Sequence, residues 1–193
     1  MTFRSTDTAS MNRASLASTC HATLRQIFES EREELLWLAE AMVGDPLVAE
    51  ECIAAAILRA DDSAYVASNW RDVWIKRCVV REAIERNGAE IKRIAAYYIR
   101  DAICKQGPGA MDWDKQALRS LTAIEISETL NVFERAALML HAYLGFSTHD
   151  CALLIDGHWS VIEPACSNAV CSLRVHTEDG RNCPGVARAV PRH

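Results

Sequence analysis

The sequence predicts an all-α fold of two small helical domains joined by a short linker, the second a helix-turn-helix. Three observations carry this expectation. Apolar residues recur at three- and four-residue spacing through most of the chain, with no strand-like alternation of useful length. A stretch with two glycines and a proline, "KQGPGAMDWD" at Lys105 to Asp114, interrupts the helical pattern near the middle and reads as a linker. Beyond it, two short helical stretches lie on either side of "DG" at Asp156 and Gly157, in the order helix, turn, helix. The expected boundaries are a mobile N-terminal segment over 1–28, a first domain over 29–104, a linker over 105–117, a second domain over 118–176 and a mobile tail over 177–193.

Each element has a local reason. From Glu29 the chain places Leu35, Leu38, Ala39 and Met42 on one helical face. "GDP" at Gly44 to Pro46 then punctuates a helical hairpin: Gly44 closes one helix, Asp45 caps the next and Pro46 suits its first position. The second helix carries Leu47, Glu50, Glu51, Ile53, Ala54, Ile57 and Leu58 and ends near Asp61. A third stretch starts near Trp70 and presents Trp74, Cys78 and Val79 to Ile84; a fourth presents Ile91, Ile94, Ala95, Tyr98, Ala102 and Ile103. After the linker, Leu121 to Ser147 supplies one long amphipathic helix or two short ones, closed by Gly145. Ser147 and Asp150 have the spacing of an acidic capping box for the next helix, and Ser160 with Glu163 offers a second cap. With Ser160 as the cap, Pro164 lies at the end of the first turn, where it loses one hydrogen bond and bends the entry; if the helix starts later, it sits at the first position.

Half of the residues are hydrophobic and 24% are charged, which describes a folded chain and not a disordered one. The formal charge of −5 argues against nucleic-acid binding by bulk electrostatics, so any such contact must be local. Charge is segregated. Glu29 to Asp62 sets ten acids against Arg32 and Arg59, whereas Trp70 to Lys105 holds nine bases against five acids and carries Trp70, Trp74, Tyr97 and Tyr98. Bases interleaved with aromatics suit a single-stranded nucleic acid, whose backbone meets the cations while its bases stack on the rings. The same pattern describes a solvated helix face with core aromatics, the default for Trp74.

No run approaches a membrane span and the first residues lack a signal-peptide core, so a cytoplasmic location is expected. The eight cysteines form no C-x-x-C pair. The nearest approach to a metal constellation is His149, Cys151 and His158 with Cys166 and Cys171 beyond, a spacing looser than zinc sites use, so no metal and no other cofactor is expected. No catalytic residues are expected either: the histidines form no acid-base or nucleophile arrangement, and no glycine-rich phosphate loop is present.

Three stretches, "GDPLVAEECIAAAI", "WIKRCVVREAIER" and "LNVFERAALMLHAYLGFSTHDCALLI", resemble segments of the extracytoplasmic-function sigma factors of bacterial RNA polymerase. "GDPLVAEECIAAAI" (Gly44 to Ile57) is similar to the family's helix that docks on the polymerase core, and "WIKRCVVREAIER" (Trp74 to Arg86) to the segment that engages melted promoter DNA. "LNVFERAALMLHAYLGFSTHDCALLI" (Leu130 to Ile155) resembles the second domain, with Arg135, Leu140, Gly145, Ser147 and Ala152 in register. The resemblance covers roughly Glu29 to Arg174 and implies a transcription initiation factor, not an enzyme, that binds core RNA polymerase and promoter DNA. An inhibitory anti-sigma protein is a further partner it implies.

Carried onto this chain, polymerase binding falls to Glu50, Glu51, Ile53 and Ile57. DNA binding falls to Arg71, Lys76, Arg77, Arg81 and Arg86 in the first domain, and to Ser147, Ser160, Ser167, Asn168 and Arg174 in the helix-turn-helix. Several positions depart from the family. Ala54 and Ala55 stand where it has a glutamine and an acid, Arg81 and Glu85 where it has asparagine and aspartate, and the last helix offers Glu163, Ala165 and Asn168 where it carries bases. Phosphate contacts supply most DNA affinity. The departures therefore open an alternative, a sigma-derived helical interaction protein that binds polymerase or another protein without reading DNA.

Overall fold

The computed structural model describes residues 26–61, 70–102 and 115–177. Among the described residues all regular structure is helical and no strand occurs, as the periodicity predicts. The expected linker over 105–117 falls outside the described residues up to 114, as do 1–25 of the N-terminal segment and 178–193 of the tail.

Helical residues 26–30 lead into α1 (Arg32–Val43), and Phe28, inside the segment expected to be mobile, is buried. Gly44 ends α1 in the left-handed conformation at φ 77°, its N–H donating to the Glu40 carbonyl oxygen at 2.7 Å. Asp45 then accepts from the N–H groups of Leu47 and Val48 at 2.8 and 3.2 Å, opening α2 (Pro46–Asp61) on its proline. The hairpin is built as its turn residues dictate.

The third and fourth stretches are one helix, α3 (Arg71–Ala102), which at 1.5 Å per residue is about 48 Å long. It passes through Asn87 and Gly88 without interruption. A mid-helix glycine costs about 1 kcal/mol, and burial of Ile75, Val79, Ala83, Ile84, Ile91, Ile94 and Tyr98 along the same helix offsets it. The first part of this spine packs against α1 and α2.

Lys115–Arg119 forms α4, so the last three residues of the expected linker are helical. The stretch after it resolves into two helices, α5 (Ala123–Thr129) and α6 (Val132–Ala137). Each opens on a complete capping box, Thr122 with Glu125 and Asn131 with Glu134. The final turns after α6 widen into a π-helical segment (Leu138–Tyr143), where the Leu144 N–H reaches back to the Met139 carbonyl.

Ser147 caps α7 (Thr148–Ile155) by accepting from the Asp150 N–H at 3.1 Å, while its hydroxyl donates to the Asp150 carboxylate at 2.7 Å. Asp156, in the left-handed conformation at φ 51°, ends α7. A 3-10 turn (Trp159–Val161) leads into α8 (Ile162–Thr177). His158, and not Ser160, caps that entry: its Nδ1 accepts from the Ser160 N–H at 3.2 Å.

Helices lie on both sides of 103–114, and their buried side chains join in one cluster that runs from Phe28 to Leu173. Helix α1 meets α5, and α3 meets α6, α7, the 3-10 turn and α8. Polar bonds cross the same boundary. Trp37 Nε1 donates to the Leu121 carbonyl at 3.0 Å, the Tyr143 hydroxyl to Glu34 at 2.6 Å and the Tyr98 hydroxyl to Glu134 at 2.5 Å.

Candidate interaction surfaces

Helix α2 is apolar on two faces. Ala49, Cys52, Ile53, Ala56 and Ala60 are buried toward α1 and α3. On the opposite side Leu47, Glu51, Ala54 and Leu58 are exposed, at the four- and three-residue steps that align side chains in one stripe. Leu47 and Leu58 are 73% and 70% exposed, and Glu50 stands beside the stripe. Of the four residues assigned to polymerase binding, Glu50 and Glu51 face solvent, Ile57 is half-buried and Ile53 belongs to the core. The family resemblance assigns no contact to Leu47 or Leu58 and marks Ala54 only as a departure. The sequence does carry a sign of them, since a helix hydrophobic all round has to be covered on every side.

The bases of α3 assigned to DNA contact are largely engaged within the protein. Lys76 binds Glu34 at 2.9 Å and Glu31 at 3.4 Å. Burial works against its charged form, but the bonds and charges of Glu34 and Glu31 outweigh this, and its pKa lies above the ordinary lysine value. Glu34 is the reciprocal case: burial would raise its pKa, yet hydrogen bonds from Tyr143 and Lys76 and the charges of Lys76 and Arg119 hold it below the usual carboxylate range. Arg81 binds Glu85 at 3.0 Å, and Arg86 binds Glu82 at 3.1 Å. Glu82 is itself buried and also holds Arg59 at 2.6 Å, so this group staples α2 to α3. Arg71 is half-buried, and Arg77 is exposed beside Trp70 and Trp74.

The residues assigned to DNA contact in the expected helix-turn-helix do not form one surface. Ser147 is a helix cap, Ser160 bonds the His158 ring at 2.7 Å, Ser167 is buried and Arg174 is half-buried. Asn168 Nδ2 donates to the Tyr98 hydroxyl at 3.2 Å, turned toward α3. Tyr98 thereby links α3, α6 and α8 through Glu134, a capping-box carboxylate whose pKa is raised by burial in spite of the bonds it accepts. The protein surface around the turn is instead marked by Trp159, half exposed, with the rings of His149 and His158 stacked against it at 5.6 and 5.5 Å.

Among the described residues no three His, Cys, Asp or Glu side chains gather as a metal site. Burial pushes the Cys151 and Cys166 thiols up to about 12 and Cys78 up to about 11, the state of inert core thiols. No helix among the described residues is long and apolar enough to cross a membrane. Compared with known proteins, the chain matches no family model, no curated protein and no solved structure.

Proposed function

We propose that the protein is a sigma-like factor that docks on core RNA polymerase through the outer face of α2. The observation that carries this reading is the solvent-facing stripe of Leu47, Glu51, Ala54 and Leu58, flanked by Glu50, on the helix whose sequence resembles the family's docking helix. Exposed leucines on a helix already anchored by its other face are what a partner helix or groove covers. Promoter contact, in this reading, is the task of α3 around Arg71, Lys76, Arg77, Arg81 and Arg86, with α7 and α8 as a helix-turn-helix of weak or unusual DNA recognition. Size-exclusion co-elution with bacterial core polymerase tests it: a complex displaced by a competing sigma factor is expected, and the absence of any complex overturns the reading.

A second reading has its own observation. Lys76, Arg81 and Arg86 are ion-paired, Ser167 is buried and Asn168 is bonded to Tyr98, so few donors remain for phosphates. This favours an interaction protein that binds polymerase or another protein without reading DNA. Salt-sensitive binding to promoter DNA separates the two, expected in the first reading and lacking in the second.

A further inference from the structure

The spacing of the stripe on the outer face of α2 is the same in both directions. Leu47, Glu51, Ala54 and Leu58 follow one another at steps of four, three and four residues. Reversing the helix about the midpoint between Cys52 and Ile53 carries Leu47 onto Leu58 and Glu51 onto Ala54, and beside the stripe it carries Glu50 onto Ala55. A two-fold contact between identical chains needs this property, since residue i of one copy must fit residue j of the other while j fits i.

The residue types suit the reversal as well as the spacing does. Laid antiparallel, two copies of α2 set each leucine, 73% and 70% exposed in the single chain, against a leucine of the second copy. Glu51 then faces the methyl group of Ala54, and a carboxylate that passes a small side chain and keeps its water escapes the cost of burying a charge. A parallel pair in register would instead set Glu50 against Glu50 and Glu51 against Glu51, and juxtaposed like charges oppose association. The antiparallel arrangement also lays the positive end of one helix dipole beside the negative end of the other. On the rim, Arg32 of α1 lies 4.0 Å from Glu50 and offsets part of its charge.

We propose that the chain forms a weak two-fold dimer, α2 packed antiparallel on the α2 of a second copy, with Leu47 of one against Leu58 of the other. One face of a 16-residue helix is about 24 Å long. It makes an interface of the small, transient class, for which a dissociation constant of about 10–100 µM is expected. Pairing covers the stripe, so the dimer withholds the face assigned to polymerase and only the monomer is free to dock. This regulatory consequence rests on the polymerase reading; the pairing does not.

Sedimentation equilibrium of the purified full-length chain, without polymerase, tests the pairing. A reversible monomer–dimer equilibrium is expected, and it should tighten as salt rises, because Glu29 to Asp62 sets ten acids against two bases in each copy. Ala54→Glu brings a carboxylate opposite Glu51 of the second copy, twice over by symmetry, and should weaken the dimer about tenfold or more. Ala54→Lys puts an ammonium group in the same place and should tighten it about threefold or more at low salt. Position 54 is exposed and helical, and both substitutes are good helix formers, so circular dichroism should show both variants folded like the parent. A chain that stays monomeric up to about 0.5 mM, or a dimer that the two substitutions shift in the same direction or not at all, overturns the pairing. Polymerase binding by a chain that never dimerises would overturn the pairing and leave docking intact. A dimer with these sensitivities and no affinity for polymerase would uphold the pairing and remove only its regulatory consequence.

Discussion

Glu34 gathers Lys76, Arg119 and Tyr143 at the boundary of the two helical groups. Its pKa is held below the ordinary carboxylate value, so its contribution is present above the unfolded-state pKa and is lost as pH falls through the lowered folded value. Glu34→Gln should therefore cost about 2 kcal/mol near neutrality, and the gap from the parent should close in acid, as urea unfolding across pH will read. Tyr98 makes the other bridge. Tyr98→Phe leaves buried Glu134 without one of its donors and should cost about 2 kcal/mol, measured the same way at pH 7. Neither bridge is legible in the sequence, because Tyr98 and Glu134 lie 36 positions apart and Glu34 and Tyr143 109 apart. Their meeting depends on packing and not on spacing.

Among the elements, the hairpin of α1 and α2 is readable to the residue, since Gly44, Asp45 and Pro46 each have one local job. Glycine itself reads differently in two places. Gly44 has a positive φ, and a Cβ there would lie 3.3 Å from Arg135 Nη1, so Gly44→Ala should destabilise by about 1–2 kcal/mol. Gly88 lies in the middle of α3, where an added Cβ would meet nothing within 4 Å, so Gly88→Ala should stabilise by about 1 kcal/mol. Thermal unfolding of the two variants should move in opposite directions. The continuity of α3 escapes the local signals because "RNG" at Arg86 to Gly88 looks like a break, while the buried stripe on both sides holds the helix together. The cap at the entry to α8 is likewise hidden from residue preferences, since the His158 ring nitrogen takes the place that the Ser160 hydroxyl suits better by type.

In the molecule as a whole, the two helical groups share one buried cluster, and α1 and α3 each contact helices from beyond 103–114. A shared core couples the groups, and unfolding should occur in one transition with coincident near- and far-ultraviolet dichroism. Two separated transitions would show that the groups fold on their own. The all-α class and the helix order follow from periodicity, but the face of a helix that stays exposed does not. Periodicity marks both apolar faces of α2 alike, and only the packing of α1 and α3 decides that Leu47 and Leu58 remain outside.

That outer face is the center of the proposed function, and its affinity for core RNA polymerase is the most direct measurement. With fluorescently labelled protein titrated with core enzyme, the parent chain should bind saturably. Leu58→Asp, at a position 70% exposed and therefore harmless to the fold, should weaken binding about tenfold or more. Equal binding by the parent and Leu58→Asp, or no binding by either, would contradict the account.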